Sequence, residues 1–218
     1  DITVIPCCVD NKRFDRDSGS AGMLREKYKL SGKFVFLYIG SVGTWYLLDE
    51  MLDFFIAARN AIRSAHFLVL THIDQEMVRR ACERKHISPD EVTVSCAPFQ
   101  EMPAHIAMAD AGIFFIKPCF SKRSSCPTKY AEYLACGLPV VINAGIGDTD
   151  TIVRDRGLGV VVDGFDKSHY DAAVHQLVGL MKDSPAISAR CRRAAQELFS
   201  LEDGVNKYFN VYRSLPCN

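Results

Sequence analysis

Short apolar segments alternate along the chain with longer stretches in which apolar residues recur at helical spacing. We predict strands at the continuous apolar runs "FVFLYI" (34–39), "HFLVL" (66–70), "VTVS" (92–95), "AGIFFI" (111–116), "PVVIN" (139–143) and "GVVV" (159–162). Such runs are typical of strands buried on both faces of a parallel sheet. Helical spacing predicts helices at 45–62, 75–86, 100–109, 127–136 and 148–156. This alternation predicts an α/β fold with a Rossmann-like, doubly wound parallel sheet.

The two ends of the chain extend this pattern. Residues 1–33 predict a short strand, a polar loop and a helix around "AGMLREKY". After residue 162 we expect helices to the end, one of them beginning at Pro185, because proline is favoured in the first helical turn. A chain of 218 residues without internal repeats is expected to form a single domain, 1–218, with extra C-terminal helices.

Composition narrows the classes of function. The 26 basic residues balance 26 acidic ones, so no broad positive field is expected to recruit nucleic acid. The nine cysteines contain no C-x-x-C spacing, which argues against a zinc site or a disulfide framework and favours reduced thiols in a cytoplasmic protein. No apolar run approaches the ~20 residues of a membrane span, and no signal peptide is evident. The start without methionine suggests a piece of a longer protein.

A doubly wound sheet also predicts where a ligand lies. In the strand order 3-2-1-4-5-6, ligands bind at the carboxyl ends of the first and fourth strands, where the topology reverses. If 34–39 is the first strand and 111–116 the fourth, the loops 40–45 and 117–129 flank this crevice. These two loops are therefore the first candidates for a binding site.

The second of these loops carries cations and hydroxyls but no carboxylate. Pro127 is predicted in the first turn of the following helix, whose unpaired amides and partial positive charge favour phosphate. We predict a diphosphate site from these amides and the side chains of Lys117, Lys122, Arg123, Ser124, Ser125, Thr128 and Lys129.

Lys129 and Glu132 share one face of this predicted helix because they are three residues apart. A carboxylate beside a phosphate site is suited to accept hydrogen bonds from ribose hydroxyls. The alternative is a salt bridge on a solvated face. In "YIGSVG", Gly40 and Gly43 flank Ser41 and allow close approach of a diphosphate. The motif is not G-x-G-x-x-G, and no acidic residue ends the second strand, so a nicotinamide cofactor is not expected.

One longer segment, "SSCPTKYAEYLACGLPVVINAGIGDT", resembles the donor-binding signature of family 4 retaining glycosyltransferases, which have the GT-B fold. The pattern is most similar to the subgroup that acts in bacterial surface-polysaccharide synthesis. The segments "VIPCCVDNKRF", "FLYIGSVGTWYLLDEML" and "MPAHIAMADAGIFFIKP" resemble further parts of the C-terminal, donor-binding domain of these enzymes. The likeness covers most of 1–165.

The resemblance implies roles for individual residues. Glu132 is expected to bind the ribose, Ser125 to Thr128 the diphosphate, and Lys129 the donor phosphates or sugar. The loop Gly40–Gly43 is expected near the transferred sugar, and the base near Thr71 and Ala97–Phe99, which includes Pro98. The implied donor is a nucleotide sugar, most often a UDP-sugar, with no cofactor and no metal. A lipid-linked glycan acceptor would place the protein in the cytoplasm or at the inner membrane face.

Three departures from the family pattern bear on catalysis. Ser124 stands where many members have a glutamate that acts at the sugar, so no catalytic residue is assigned. Ser41 and the Trp45–Tyr46 region replace an arginine and a lysine. The N-terminal, acceptor-binding domain of a GT-B enzyme is absent from this sequence, so the piece alone is expected to be inactive. A related sugar-nucleotide epimerase and a catalytically inactive nucleotide-sugar binding module remain the alternatives.

Overall fold

A six-stranded parallel sheet organises the computed structural model, which describes residues 2–15 and 18–215. In chain order the strands are β1 (Phe34–Ile39), β2 (Ala65–Leu70), β3 (Val92–Ser95), β4 (Ala111–Phe114), β5 (Val140–Asn143) and β6 (Gly159–Val162). The spatial order is β3-β2-β1-β4-β5-β6, so the topology reverses between β1 and β4. The predicted doubly wound α/β fold is confirmed.

Helices connect and cover the strands. They are α1 (Ser18–Lys27), α2 (Leu48–Ala61), α3 (Gln75–Arg84), α4 (Met102–Ala107), α5 (Thr128–Ala135), α6 (Thr149–Arg156), α7 (Lys167–Leu180), α8 (Ser184–Leu198) and α9 (Leu201–Ser214). Pro185 lies in the first turn of α8, as predicted. No described helix combines the length and apolar character needed to cross a membrane.

Three sequence predictions differ from the structure. Within residues 2–15 there is no predicted short strand, because Val9 makes only an isolated bridge to Ser200. The helix predicted from residue 45 begins at Leu48, since Gly43 and Thr44 have positive φ angles and form a turn. The strand predicted to residue 116 ends at Phe114, for a reason given below.

The core lies on both faces of the sheet and is rich in aromatic rings. Phe36 of β1 packs edge-on against Phe54 and Phe55 of α2, and Phe55 stacks on Phe67 of β2. All of these rings are buried. The full burial of β2 explains its continuous apolar sequence, because a strand covered on both faces has no polar side.

Candidate functional site

The crevice predicted at the topological reversal exists because β1 and β4 pair over a short distance. They share only the pairs Phe36–Ala111 and Leu37–Gly112, whereas β1 and β2 remain paired to Ile39–Leu70. Beyond Leu37, β1 therefore has no β4 neighbour, and the carboxyl ends of the two strands separate. This is the place where doubly wound sheets bind ligands.

A tyrosine of α5 replaces the missing strand partner. The hydroxyl of Tyr133 accepts a hydrogen bond from the Ile39 amide at 3.0 Å and donates one to the Leu37 carbonyl at 3.3 Å. Its ring lies against Gly112, where an added Cβ would come within 2.4 Å of the ring. Glycine at this position thus admits the tyrosine, and the tyrosine ties α5 to the open edge of β1.

We expect Tyr133→Phe to lower the free energy of unfolding by about 0.5–1.5 kcal/mol, because the half-buried Ile39 amide loses its acceptor. Tyr130→Phe is the matched control, since Tyr130 is buried on the same helix and its hydroxyl has no hydrogen-bond partner among the described residues. Urea denaturation should show little loss, or a gain, for the control. Equal losses in the two variants would contradict the proposed role of the Tyr133 hydroxyl.

On the other side of the crevice, an asparagine continues the pairing after β4 ends. The Asn143 side chain accepts a hydrogen bond from the Ile116 amide at 2.7 Å and donates one to the Ile116 carbonyl at 2.9 Å. These bonds replace a strand ladder, which is why β4 is shorter than its apolar run predicts. They also fix the start of the cationic loop 117–127.

The two loops that flank the crevice contact each other. The Lys117 amide donates to the Trp45 carbonyl at 2.8 Å, and Tyr46 bridges to Ile116. The Lys122 ammonium lies 4.4 Å from the centroid of the exposed Trp45 ring. One of the predicted phosphate-binding cations is therefore held on an indole face at the entrance.

Lys129 occupies the centre of this arrangement and is only 8% exposed. Its Nζ lies 4.3 Å from the ring centroid of Tyr38 and 3.7 Å from that of Tyr46. An added Cβ at Gly40 would come within 2.7 Å of the same nitrogen. The structure thus brings together Gly40 and Lys129, two of the predicted site residues, from opposite sides of the crevice.

The Lys129 amine has no hydrogen-bond partner among the described residues. Burial lowers the pKa of Lys129 to about 7, and the negative charge of Glu132 acts in the opposite direction. The alternative of a salt bridge on a solvated face is therefore wrong: the lysine is buried and makes no ion pair with Glu132.

Glu132 lies half-buried one turn along α5 from the helix start. Burial raises the pKa of its carboxyl group, while Lys129 and Arg13 lower it. Arg13 stacks on the exposed Phe99 ring at 4.0 Å and donates to the Phe99 carbonyl at 3.4 Å. The basic side chains of Lys129 and Arg13 thus both act on this carboxylate, and Phe99 lies against Arg13.

The first turn of α5 has an open end. The helix begins at Thr128, which is exposed, and no side chain caps it. Pro127 precedes the helix by one residue, so the prediction that it lies in the first turn is off by that amount. Ser125 packs against Gly147, where an added Cβ would come within 2.2 Å of the Ser125 carbonyl oxygen. Ser124 is exposed and donates to the Ser121 carbonyl at 3.4 Å.

The remaining predicted residues differ in how far they are exposed to solvent. The buried Thr71 hydroxyl donates to the Ile73 carbonyl at 2.8 Å. Pro98 is exposed and starts a 3-10 turn at Phe99–Glu101. Ser41 is exposed, and its carbonyl accepts a hydrogen bond from the Tyr38 hydroxyl. Gly43 is half-buried in the turn ahead of α2.

Three residues of this site escaped the sequence analysis, namely Arg13, Tyr38 and Tyr133, and Tyr46 entered it only as a departure from the family pattern. The tyrosines lie within or beside apolar runs, where the sequence pattern predicts an ordinary core residue. Arg13 lies 119 positions before Glu132 in the chain, so no local spacing connects them. The only usable local signal was the pair of tyrosines, Tyr130 and Tyr133, that directly follows Lys129.

Two of the cavities among the described residues lie at opposite ends of the strands. One of about 660 Å³ adjoins the crevice and is lined by Gly43, Tyr46 and Lys117, among others. The other, of about 400 Å³, lies at the amino ends of the strands and is lined by Asp110, Gly137 and Arg192, among others. Only the first is next to the buried lysine. No group of three or more metal-ligating side chains occurs in the described part of the chain, and no disulfide bond forms among its eight cysteines.

Known proteins resemble this chain in sequence. A curated relative, the GDP-mannose-dependent alpha-(1-6)-phosphatidylinositol monomannoside mannosyltransferase of Mycolicibacterium smegmatis, is 26% identical over 197 residues. The match covers 88% of this chain and 50% of the relative, so the chain spans about half the length of that protein.

Solved structures share the fold at low sequence identity. Anabaena Alr3699/HepE in complex with UDP-glucose has a TM-score of 0.77 and 14% identity, and the match covers 98% of this chain and 57% of that one. Sucrose-phosphate synthase from Thermosynechococcus elongatus has a TM-score of 0.75 and 18% identity, with coverages of 97% and 52%.

The family described as "Glycosyl transferases group 1" matches residues 33–180, which include both loops of the crevice and all of α5. The matched range is more than half of the 218 residues. This range contains Lys129, Glu132 and Tyr133, whose hydroxyl hydrogen-bonds the open edge of β1. The chain belongs to the group 1 glycosyltransferases.

Proposed function

We propose that the chain is the C-terminal, donor-binding domain of a glycosyltransferase that moves a sugar from a nucleotide sugar to a glycan or a lipid-linked acceptor. The observation that carries the proposal is the Lys129 amine, buried against Gly40 where β1 and β4 separate. A buried amine without a partner, beside an open helix end, is suited to an anionic ligand.

We assign the donor to the crevice because the groups that line it match the phosphates and hydroxyls of a nucleotide sugar. The diphosphate lies at the start of α5, near Ser125, Thr128 and Lys129, and the ribose hydroxyls donate to Glu132. As the bond to the sugar breaks, negative charge grows on the leaving diphosphate, and the helix end and Lys129 stabilise it. Lys122, held on Trp45 at the entrance, adds a second positive charge.

The base of the donor is part of the proposal, with UDP as the first candidate. The similar structures of Anabaena Alr3699/HepE are complexes with UDP and with UDP-glucose, while the mannosyltransferase relative is GDP-mannose-dependent. The exposed ring of Phe99, with Arg13 stacked on it, offers a flat surface at the end of β3 for either base. A uracil and a guanine therefore both belong in the binding test.

The whole protein is proposed to contain a second, acceptor-binding domain, because the chain spans about half of its relatives. We expect the donor domain alone to be inactive. A lipid-linked acceptor and a place in the cytoplasm, at the inner membrane face, remain part of the proposal. The name of the mannosyltransferase relative, which specifies a phosphatidylinositol monomannoside, supports such an acceptor.

One observation favours a second candidate, a nucleotide-sugar binding module without catalytic activity. Ser124 stands where the family pattern has a glutamate, and its hydroxyl donates within its own turn. Sugar transfer by the complete protein would favour the enzyme over the module. Binding alone would not separate them.

The experiment is calorimetric titration with UDP, UDP-glucose, GDP and GDP-mannose, repeated on Glu132→Ala. We expect at least one nucleotide to bind and the variant to lose roughly tenfold or more in affinity, because a charge-assisted hydrogen bond contributes about 1.5–3 kcal/mol. Glu83→Ala is the control, since Glu83 is an exposed carboxylate on α3. Equal affinity of the two variants would contradict the ribose role, and binding of no nucleotide by the folded chain would contradict the proposed function.

A further inference from the structure

Lys129 differs from the other cations of the crevice in its surroundings. Lys117 and Arg123 are exposed, and Lys122 is half-buried on the Trp45 ring. Lys129 alone among these is buried, and its amine has no hydrogen-bond partner among the described residues. An ammonium ion in such a place is largely desolvated and has no hydrogen-bonded counter-ion, so the neutral amine is the less costly form.

The groups that face this amine include one carboxylate, but none of them forms a hydrogen bond to it. From β1 and from the loop after it come Tyr38 and Tyr46, whose pKa values are raised by burial, so both phenols stay neutral. From its own helix comes Glu132, which favours the ammonium form. Desolvation nevertheless outweighs Glu132 and lowers the pKa of Lys129 to about 7.

A bound diphosphate changes this balance. Its negative charges at the start of α5 favour the ammonium form, because an opposite charge nearby raises the pKa of an amine. The rings of Tyr38 and Tyr46 remain in place and attract a cation through their faces. The surroundings of Lys129 thus favour the neutral amine before the diphosphate binds and the ammonium form afterwards.

We propose that Lys129 is a neutral amine in the donor-free protein and takes up one proton from the solvent when the donor diphosphate binds. The lone pair of Nζ accepts a proton, one N–H bond forms on Lys129, and one bond to hydrogen breaks in the buffer acid or hydronium ion that supplies the proton. The inference rests on the proposed function, since it assigns to the same crevice a coupling between donor affinity and proton uptake.

The test is calorimetry with UDP-glucose and GDP-mannose in buffers of different ionisation enthalpy. Both phosphates of these donors are esterified, so the ligand itself exchanges no proton near neutral pH. With a lysine pKa of about 7, we expect uptake of about 0.9 proton per donor at pH 8 and about 0.5 at pH 7. Affinity should fall by up to about tenfold per pH unit above pH 7.

Two variants separate this lysine from its neighbours. Lys129→Met is one atom shorter and uncharged but keeps an unbranched chain between the two tyrosine rings, and it should weaken binding and abolish the uptake. Lys122→Met removes a cation from the entrance, and should weaken binding while the uptake persists. Uptake that persists in Lys129→Met would overturn the assignment to this residue.

The outcomes distinguish the inference from the function on which it rests. Donor binding without proton uptake at pH 8 would overturn the inference and leave the donor site standing. Absence of binding of both donors would reject the two together. A second readout needs no ligand: NMR of lysines labelled at Cε, assigned with Lys129→Met, should show one amine that titrates near pH 7. An ordinary lysine pKa for Lys129 would also overturn the inference.

Discussion

Replacing Lys129 by methionine is expected to raise the free energy of unfolding, with the largest gain at low pH. Burial lowers the pKa of this lysine to about 7 in the folded protein, whereas an unfolded lysine titrates near 10.4. Between these values the unfolded chain binds the proton more strongly than the folded chain, so wild-type stability rises with pH. Methionine fills the same space without a charge.

The size of the expected stability gain follows from the difference between the folded and unfolded pKa values of Lys129. The advantage of Lys129→Met should shrink by about 2–3 kcal/mol between pH 6 and pH 9, because each pKa unit is worth about 1.4 kcal/mol. Urea denaturation of both proteins at several pH values measures it. Lys117→Met, at an exposed lysine, is the control and should show no such trend. A difference independent of pH would mean that Lys129 is charged in the folded protein.

The second large effect is expected for Gly40→Ala, which should reduce donor affinity more than tenfold. Gly40 has a φ of +134°, which an L-residue rarely adopts, and its added Cβ would come within 2.7 Å of the Lys129 Nζ. The lysine end is flexible and moves away, so we attribute the loss of affinity to the displaced amine. The backbone conformation itself costs roughly 1–3 kcal/mol of stability.

Gly32→Ala is the matched control for this variant. Gly32 also has a positive φ, of +73°, but an added Cβ would meet nothing within 4 Å. Both variants should lose stability in urea, whereas only Gly40→Ala should lose affinity for UDP-glucose or GDP-mannose in calorimetry. Retained affinity in Gly40→Ala would show that the contact between this glycine and Lys129 does not matter for the donor.

The strand order and the position of the crevice could be predicted because both follow from local patterns. Continuous apolar runs marked all six strands, and the order of a doubly wound sheet then placed the loops after β1 and β4 together. The meeting of Gly40 with Lys129 is a direct consequence of that order. The end of β4 depends on the Asn143 side chain, and the start of α2 depends on the positive φ angles before it. An apolar sequence pattern contains neither kind of information.

The electrostatic state of the site could not be predicted from sequence. A lysine and a glutamate three residues apart suggest a salt bridge, but the burial of Lys129 depends on Tyr38 and Tyr46 closing over it. Likewise, Arg13 acts on the pKa of Glu132 only because the N-terminal segment folds beside Phe99. These contacts join residues far apart in the chain, and burial then decides which of them carry charge.

The most direct measurement is an amide chemical-shift titration of the chain with UDP-glucose and with GDP-mannose. If the donor binds in the proposed crevice, the largest shifts will fall on Gly40, Thr128, Lys129 and Glu132. Shifts concentrated at Gly137, Leu138 and Arg192 would place the ligand in the cavity at the amino ends of the strands, and would contradict the donor site described here.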